Sequence, residues 1–143
     1  MSVKDILAAK GHDVYSVDKT AKLRDAIKVL NSKNIGVVLI TKEDGSLLGI
    51  LSERDIIRRS LSQETGFRNE PVTKSMTGQV KTVSTAASID DVMGLMTSSR
   101  IRHIPVVDDG HIAGLISIGD VVKRKIAQAE NEAANLRDYI SAV

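Results

Sequence analysis

At 143 residues and a formal charge of +2, the chain has room for one compact domain or for two small half-domains sharing a core. Its acids and bases are interspersed, which argues against the concentrated basic stripe of a nucleic-acid binder, and with Tyr15, Phe67 and Tyr139 as the only aromatics base stacking has almost no platform. The lack of cysteine excludes disulfides and thiolate metal sites, and the absence of an apolar leader after Met1, or of any window near ~18 consecutive apolar residues, points to a soluble, cytoplasmic protein with no membrane partner.

In chain order, a short lead segment (Val3–Leu7) precedes a brief strand ending at Val17 and an amphipathic helix in which Leu23, Ala26, Ile27 and Leu30 fall at the i, i+3, i+4, i+7 spacing of one buried face. Two strands follow, Gly36–Thr41 and Leu47–Leu51, joined by the hairpin turn Glu43-Asp44-Gly45, and a closing helix starts near Arg54. Residues 62–71, polar and containing Gly66 and Pro71, read as a linker. The order then repeats: a lead segment Val72–Met76, a strand ending at Val83, and a helix with Ile89, Val92, Met93 and Met96 on one face. After these come strands His103–Val107 and Ile112–Ile116 around Asp108-Asp109-Gly110, and a closing helix from about Gly119.

The copies align at Val17 with Val83, Ala21 with Ala87, Asp25 with Asp91, Ser32 with Ser98 and Ile35 with Ile101. They differ by one residue in the first hairpin turn and by about three near Gly11. The expected organisation is a first repeat at 3–61, a linker at 62–71, a second repeat at 72–126 and a C-terminal helical extension at 127–143. A unit of roughly 60 residues buries little surface alone, so the two should pack about a pseudo-two-fold axis in an α+β, α/β-like fold. In the extension, Val122, Ile126, Ala129, Ala133, Leu136 and Ile140 form a heptad-like stripe, expected to dock on the protein's own body or on a second subunit.

Each closing helix is preceded by the same signature, Gly49-Ile-Leu-Ser52-Glu-Arg-Asp55 and Gly114-Leu-Ile-Ser117-Ile-Gly-Asp120. Ser followed three residues later by Asp is a capping box, complete without any ligand. It is equally a ligand corner, because a carboxylate suits the paired hydroxyls of a ribose and a serine can donate to a hydroxyl or phosphate oxygen beside outward-pointing N–H groups. Both readings stay open on these residues. Catalytic machinery is not in view: there is no nucleophile with a base, the three histidines lack metal-ligand spacing, and neither a GxxxxGK[ST] loop nor a GxGxxG fingerprint occurs. No catalytic residue, catalytic cofactor or metal is assigned.

The duplicated signature, together with Arg102-His-Ile-Pro-Val-Val-Asp108, resembles the cystathionine beta-synthase (CBS) domain pair, or Bateman module, over about Val3 to Ile126. It is more narrowly similar to small stand-alone bacterial proteins of that family. The resemblance implies two β-α-β-β-α CBS repeats and clefts that take AMP, ADP, ATP or NAD. In the cleft closed by Asp120 it implies that Ser117 and Asp120 hold the ribose, that Ile35, Gly36, Val37 and Leu115 flank the adenine, and that Arg102 and His103 face the phosphate. In the other, Ser52 and Asp55 take the ribose, Ile50 and Ile101 the apolar roles, and Arg54 reaches the phosphate. Gly36 and Val37 stand where the second copy has Arg102 and His103, and Leu39 where it has Pro105, so two unequal sites are expected. His12 and His111 receive no role. The function so implied is a non-catalytic energy or redox-state sensor, a homodimer joined in part by the tail and read by an effector protein. A constitutive dimerisation scaffold with unused nucleotide sites is the alternative.

Overall fold

The computed structural model describes residues 1–62 and 65–142; Gln63 and Glu64 of the expected linker, and Val143, lie outside the described residues. Two small sheets carry the architecture. The first joins β1 (Ser16–Asp18), β2 (Val37–Thr41) and β3 (Leu47–Ser52), with β1 parallel and β3 antiparallel to the central β2. The second is the antiparallel pair β4 (His103–Asp108) and β5 (His111–Ser117). Helices α1 (Val3–Lys10), α2 (Leu23–Lys33), α3 (Glu53–Ser60), α4 (Ile89–Ser99) and α5 (Ile118–Ser141) complete the chain, with 3₁₀ turns at Phe67–Asn69 and Val72–Lys74. The mixed helix-and-sheet fold is the expected one.

Each repeat forms its own core, but not from its own residues alone. Val3, Ile6 and Leu7 of α1 are buried among Ile89, Val92, Met96, Ile104, Val106 and Ile116 of the second repeat. Reciprocally, Val72 is buried, and Met76 packed, against the core of the first repeat built on Leu23, Leu30, Val38 and Leu51. The lead segments are thus exchanged, and their backbones repeat the exchange: Val3 N donates to Ala87 O at 2.9 Å, and Val72 N to Ala21 O at 3.0 Å. Such matched contacts are what a pseudo-two-fold arrangement of the repeats requires.

The strand expected before Val83 is reduced to one parallel bridge, Val83 to Val106. Proline is the reason. In the first repeat Leu39 N donates to Tyr15 O at 3.0 Å, extending β1 along β2; Pro105 occupies the matching position in β4 and has no N–H to give. Val83 keeps only the bonds Val83 N to Pro105 O and Val107 N to Val83 O, at 3.2 and 2.8 Å. Met93, expected on the buried face of α4, is exposed, and the half-buried Leu95 packs against that core instead.

α5 runs unbroken through Ser141, and its last ties to the body are Lys125 with Asp90 (2.5 Å) and Arg124 Nε with Met1 Sδ (2.9 Å). Val122, Ile126, Ala129, Ala133, Leu136 and Ile140 are all exposed. Docking of the tail on its own body is therefore not what the helix does, because among the described residues nothing covers that stripe.

Two glycines make the exchange possible. A Cβ on Gly114 would lie 2.6 Å from Leu7 Cδ2, and one on Gly49 would lie 2.8 Å from the carbonyl oxygen of Thr77 as well as against Met76 Sδ. Leu7 can shift its rotamer, whereas Thr77 is fixed by backbone bonds to Ile50. Gly49→Ala should therefore cost about 1–3 kcal/mol and exceed the cost of Gly114→Ala. Urea unfolding of the two variants tests this, and an equal or reversed order would refute it.

Candidate functional site

The two signatures become two helix N-termini. Ser52 and Ser117 are the N-cap residues, which is why α3 and α5 begin one residue earlier than expected, at Glu53 and Ile118. At the first, Asp55 N donates to Ser52 Oγ (3.2 Å), while Asp55 Oδ2 accepts from Ser52 N (2.9 Å) and Ser52 Oγ (3.0 Å). At the second, Asp120 N donates to Ser117 Oγ (3.2 Å) and Ser117 N to Asp120 Oδ2 (2.9 Å). Both capping boxes are complete, so one of the two readings of the motif holds in each copy. The carboxylates remain only partly covered, with side chains 14% and 21% exposed for Asp55 and Asp120.

The strand starts are drawn to these corners by matched backbone bonds. Glu53 N donates to Gly36 O at 2.9 Å, and Ile118 N to Arg102 O at 2.8 Å. Val37 lies opposite Ser52 in the sheet register, and His103 opposite Ser117. The backbones of Arg102 and His103 thus lie beside Ser117 at the start of α5. Ile35, Gly36 and Val37 are brought to the Ser52 corner of their own repeat, and among the described residues no hydrogen bond joins them to Ser117 or Asp120. Arg54 is exposed and, among the described residues, without an ion pair, whereas Arg58 one turn later reaches Asp55 Oδ1 at 3.7 Å. Ile101 is half-buried and packs against the core of the second repeat.

The corners differ most at the strand edge beside them. Ile50 exchanges both backbone bonds with Thr77, at 3.0 and 2.9 Å, so the edge of β3 is closed by main chain. At the matching point of β5, Leu115 O accepts from Lys10 Nζ at 2.9 Å, and the same ammonium reaches Asp120 Oδ2 at 2.7 Å. His12 Nδ1 lies 2.9 Å from Ala113 O on that edge. Neither Lys10 nor His12 was singled out from sequence; the signal for both was the extra stretch of about three residues near Gly11, which lengthens the first lead segment into α1.

Electrostatics follow this geometry. Burial pushes the Asp120 carboxyl up, but the Lys10 ammonium and the Ser117 N–H and hydroxyl outweigh it and hold the group below its ordinary range. Burial lowers His103, the positive charges of Lys10 and Arg102 add to that, and Asp120 opposes them, so the imidazole is held below its ordinary value. Among the described residues no group of His, Cys, Asp and Glu could hold a metal ion, and no helix is long and apolar enough to cross a membrane. A surface depression of about 310 Å³ lies between the hairpin turns, lined by residues such as Lys42, Leu47, Val80 and Gly110, and includes neither Ser–Asp pair.

Comparison with known proteins gives this arrangement a context. The family model for the CBS domain matches residues 3–62 and 72–126. The CBS-domain containing protein ATU1752 from Agrobacterium tumefaciens is 38% identical, with 87% of this chain and 99% of that one covered at a TM-score of 0.83. The CBS domain pair of protein MJ0100, in complex with 5′-methylthioadenosine and S-adenosyl-L-methionine, is 27% identical, covering 86% of this chain and 98% of that one at a TM-score of 0.76. The CBS domain protein PAE2072 from Pyrobaculum aerophilum, complexed with AMP, shares the fold at 24% identity, with 84% and 89% covered and a TM-score of 0.76.

The lowered Asp120 carboxyl has a consequence for stability. A group depressed in the folded state stabilises it above the unfolded carboxylate value of about 3.9 and loses that contribution as pH falls through the folded value. Asp120→Asn should therefore be less stable than wild type at pH 7, with the gap closing as pH falls below the unfolded carboxylate value and through the lowered folded one. Thermal melts across that range test the pairing, and a gap independent of pH would refute it.

Proposed function

The chain belongs to the CBS-domain family, carrying two of its domains in tandem, and from that premise we propose that it is a non-catalytic regulatory module that binds an adenine nucleotide at the Ser–Asp corners. The observation that carries this reading is the grouping at the second corner. A hydroxyl (Ser117), a partly covered carboxylate (Asp120) and a strand-edge carbonyl (Leu115) stand at one helix N-terminus, whose first N–H is bonded to the backbone carbonyl of Arg102. Ribose hydroxyls suit the first two and a phosphate suits the Arg102 side chain, because guanidinium is permanently charged and forked. The ligands named with MJ0100 and PAE2072 all contain adenosine, which supports the same class here. AMP, ADP, ATP and NAD are the candidates, and the Asp55 corner, with Gly36 and Val37 in place of Arg102 and His103, is the weaker phosphate site. Sensing requires that the ligand bind two arrangements of the repeats with different affinity. The lack of cysteine suits a reducing compartment such as the cytoplasm.

A homodimer accompanies this reading. Ile57 and Leu61 on one side, and Val122 and Ile126 on the other, are large exposed apolar residues at repeat-matched positions, between 45% and 74% exposed. Two such pairs at helical spacing form a face that a second copy can cover, and α5 carries the apolar stripe onward from it. The scaffold alternative draws on a specific observation as well: both capping boxes are complete from within the chain, so neither Ser–Asp pair depends on a ligand.

A thermal-shift panel of AMP, ADP, ATP and NAD separates sensor from scaffold. At 100-fold excess over Kd a bound nucleotide should stabilise by about 2.7 kcal/mol, or roughly 5–10 °C in Tm; no shift with any of the four would sink the sensor reading and leave the scaffold. Asp120→Ala should remove one site from the binding stoichiometry and leave the other. Native mass measurement should find a dimer for the wild-type chain and a monomer for the Ile57→Glu, Val122→Glu double variant. A monomeric wild type, or an unchanged mass for the variant, counts against the dimer face.

A further inference from the structure

The two corners are closed by different chemistry, and the difference has a direction. Beside Asp55 the strand edge at Ile50 is occupied by the Thr77 backbone, which is uncharged and built into the chain. Beside Asp120 the same place is taken by a side-chain ammonium, bonded at once to Leu115 O (2.9 Å) and Asp120 Oδ2 (2.7 Å). Lys10 is at the end of α1, its side chain is 35% exposed, and it hangs on a flexible four-carbon stem. Unlike main chain, it can leave one partner for another.

We infer that Lys10 makes the Asp120 corner select phosphorylated over unphosphorylated adenine nucleosides. The inference rests on the proposed reading of that corner as a ribose site. A ribose diol uses both oxygens of a carboxylate, and Oδ2 of Asp120 is already held by Lys10, so hydroxyls and ammonium compete for one atom. Replacing a charge-assisted bond with bonds from neutral hydroxyls strands a half-covered cation, a net loss for adenosine. A nucleotide carries its own remedy, because its phosphate offers the released ammonium a new counter-ion next to Arg102. At Asp55 the exchange is lacking: its Oδ2 accepts from Ser52 Oγ, and the cation at its Oδ1, Arg58 at 3.7 Å, is 72% exposed and stays hydrated when it lets go, so that corner has no corresponding preference.

The test is titration of wild type, Lys10→Met and Lys10→Arg with AMP and with adenosine, followed at the backbone amide resonances of Ser117 and Asp120 so that the Asp55 corner is not counted. Wild type should favour AMP by about tenfold or more, the size of one hydrogen bond to a charged group. Lys10→Met should bind adenosine more tightly than wild type and AMP more weakly, cutting the preference by about tenfold to what Arg102 alone provides, and Lys10→Arg should retain most of it. If AMP binds wild type but the ratio is the same in Lys10→Met, the inference fails and the ribose reading stands. Loss of both ligands by Lys10→Met with its fold intact also overturns it, since that marks Lys10 as purely structural. If wild type binds neither AMP nor adenosine at these amides, the ribose reading fails and the inference falls with it.

Discussion

Everything in this molecule leans on a reciprocal exchange: Leu7 pressed against Gly114, and Met76 pressed against Gly49. Each sheet is too small to bury itself, and the helix that covers its open side comes from the lead segment of the other repeat. Because a side chain at either glycine would crowd the lead segment, against the Thr77 backbone at Gly49 and the Leu7 side chain at Gly114, the glycine of each signature serves packing while the Ser and Asp that follow serve the helix end. Neither repeat is a self-sufficient unit, so structure in one repeat depends on structure in the other.

The asymmetry of the pair comes from two departures within this symmetric plan. Pro105 removes one backbone donor from β4, which shortens the neighbouring strand to the single bridge at Val83. The additional residues before Gly11 let α1 continue to Lys10, which substitutes an ammonium for the backbone pairing that Thr77 makes in the other copy. The first change alters only how a sheet edge is finished. The second changes what kind of charge faces a carboxylate, and so bears on chemistry.

Much of the fold was legible in the sequence because its signals are local. The helical spacing around Leu23 and Leu30, the hairpin turns, and the Ser-x-x-Asp caps each report on neighbours a few residues away. The exchange was not legible, since nothing in the pattern of Val3, Ile6 and Leu7 says which sheet will receive them. Met93 fits a buried helical face by spacing alone, yet only the partner surface decides where that face ends. At the candidate corner, the grouping of Ser117, Asp120, Arg102 and His103 was legible because they lie within one motif or on, or just before, the strand paired with it. Lys10 and His12 are distant in sequence from β5 and were visible only as an interruption of the repeat.

α5 is capped at one end by the Ser117–Asp120 pair and extends as a single helix of 24 residues, the far part of it clear of the body. At 1.5 Å per residue the stretch past the Lys125–Asp90 pair is a rod of about 24 Å, rooted where that pair and Arg124 hold the helix to the body. Leverage then does what no contact at the root needs to do: a tilt of about 5° there carries the tip by about 2 Å, more than the gap of about 1 Å that already forfeits much of a packing contact. The apolar stripe along the rod places that motion where a neighbouring surface would feel it.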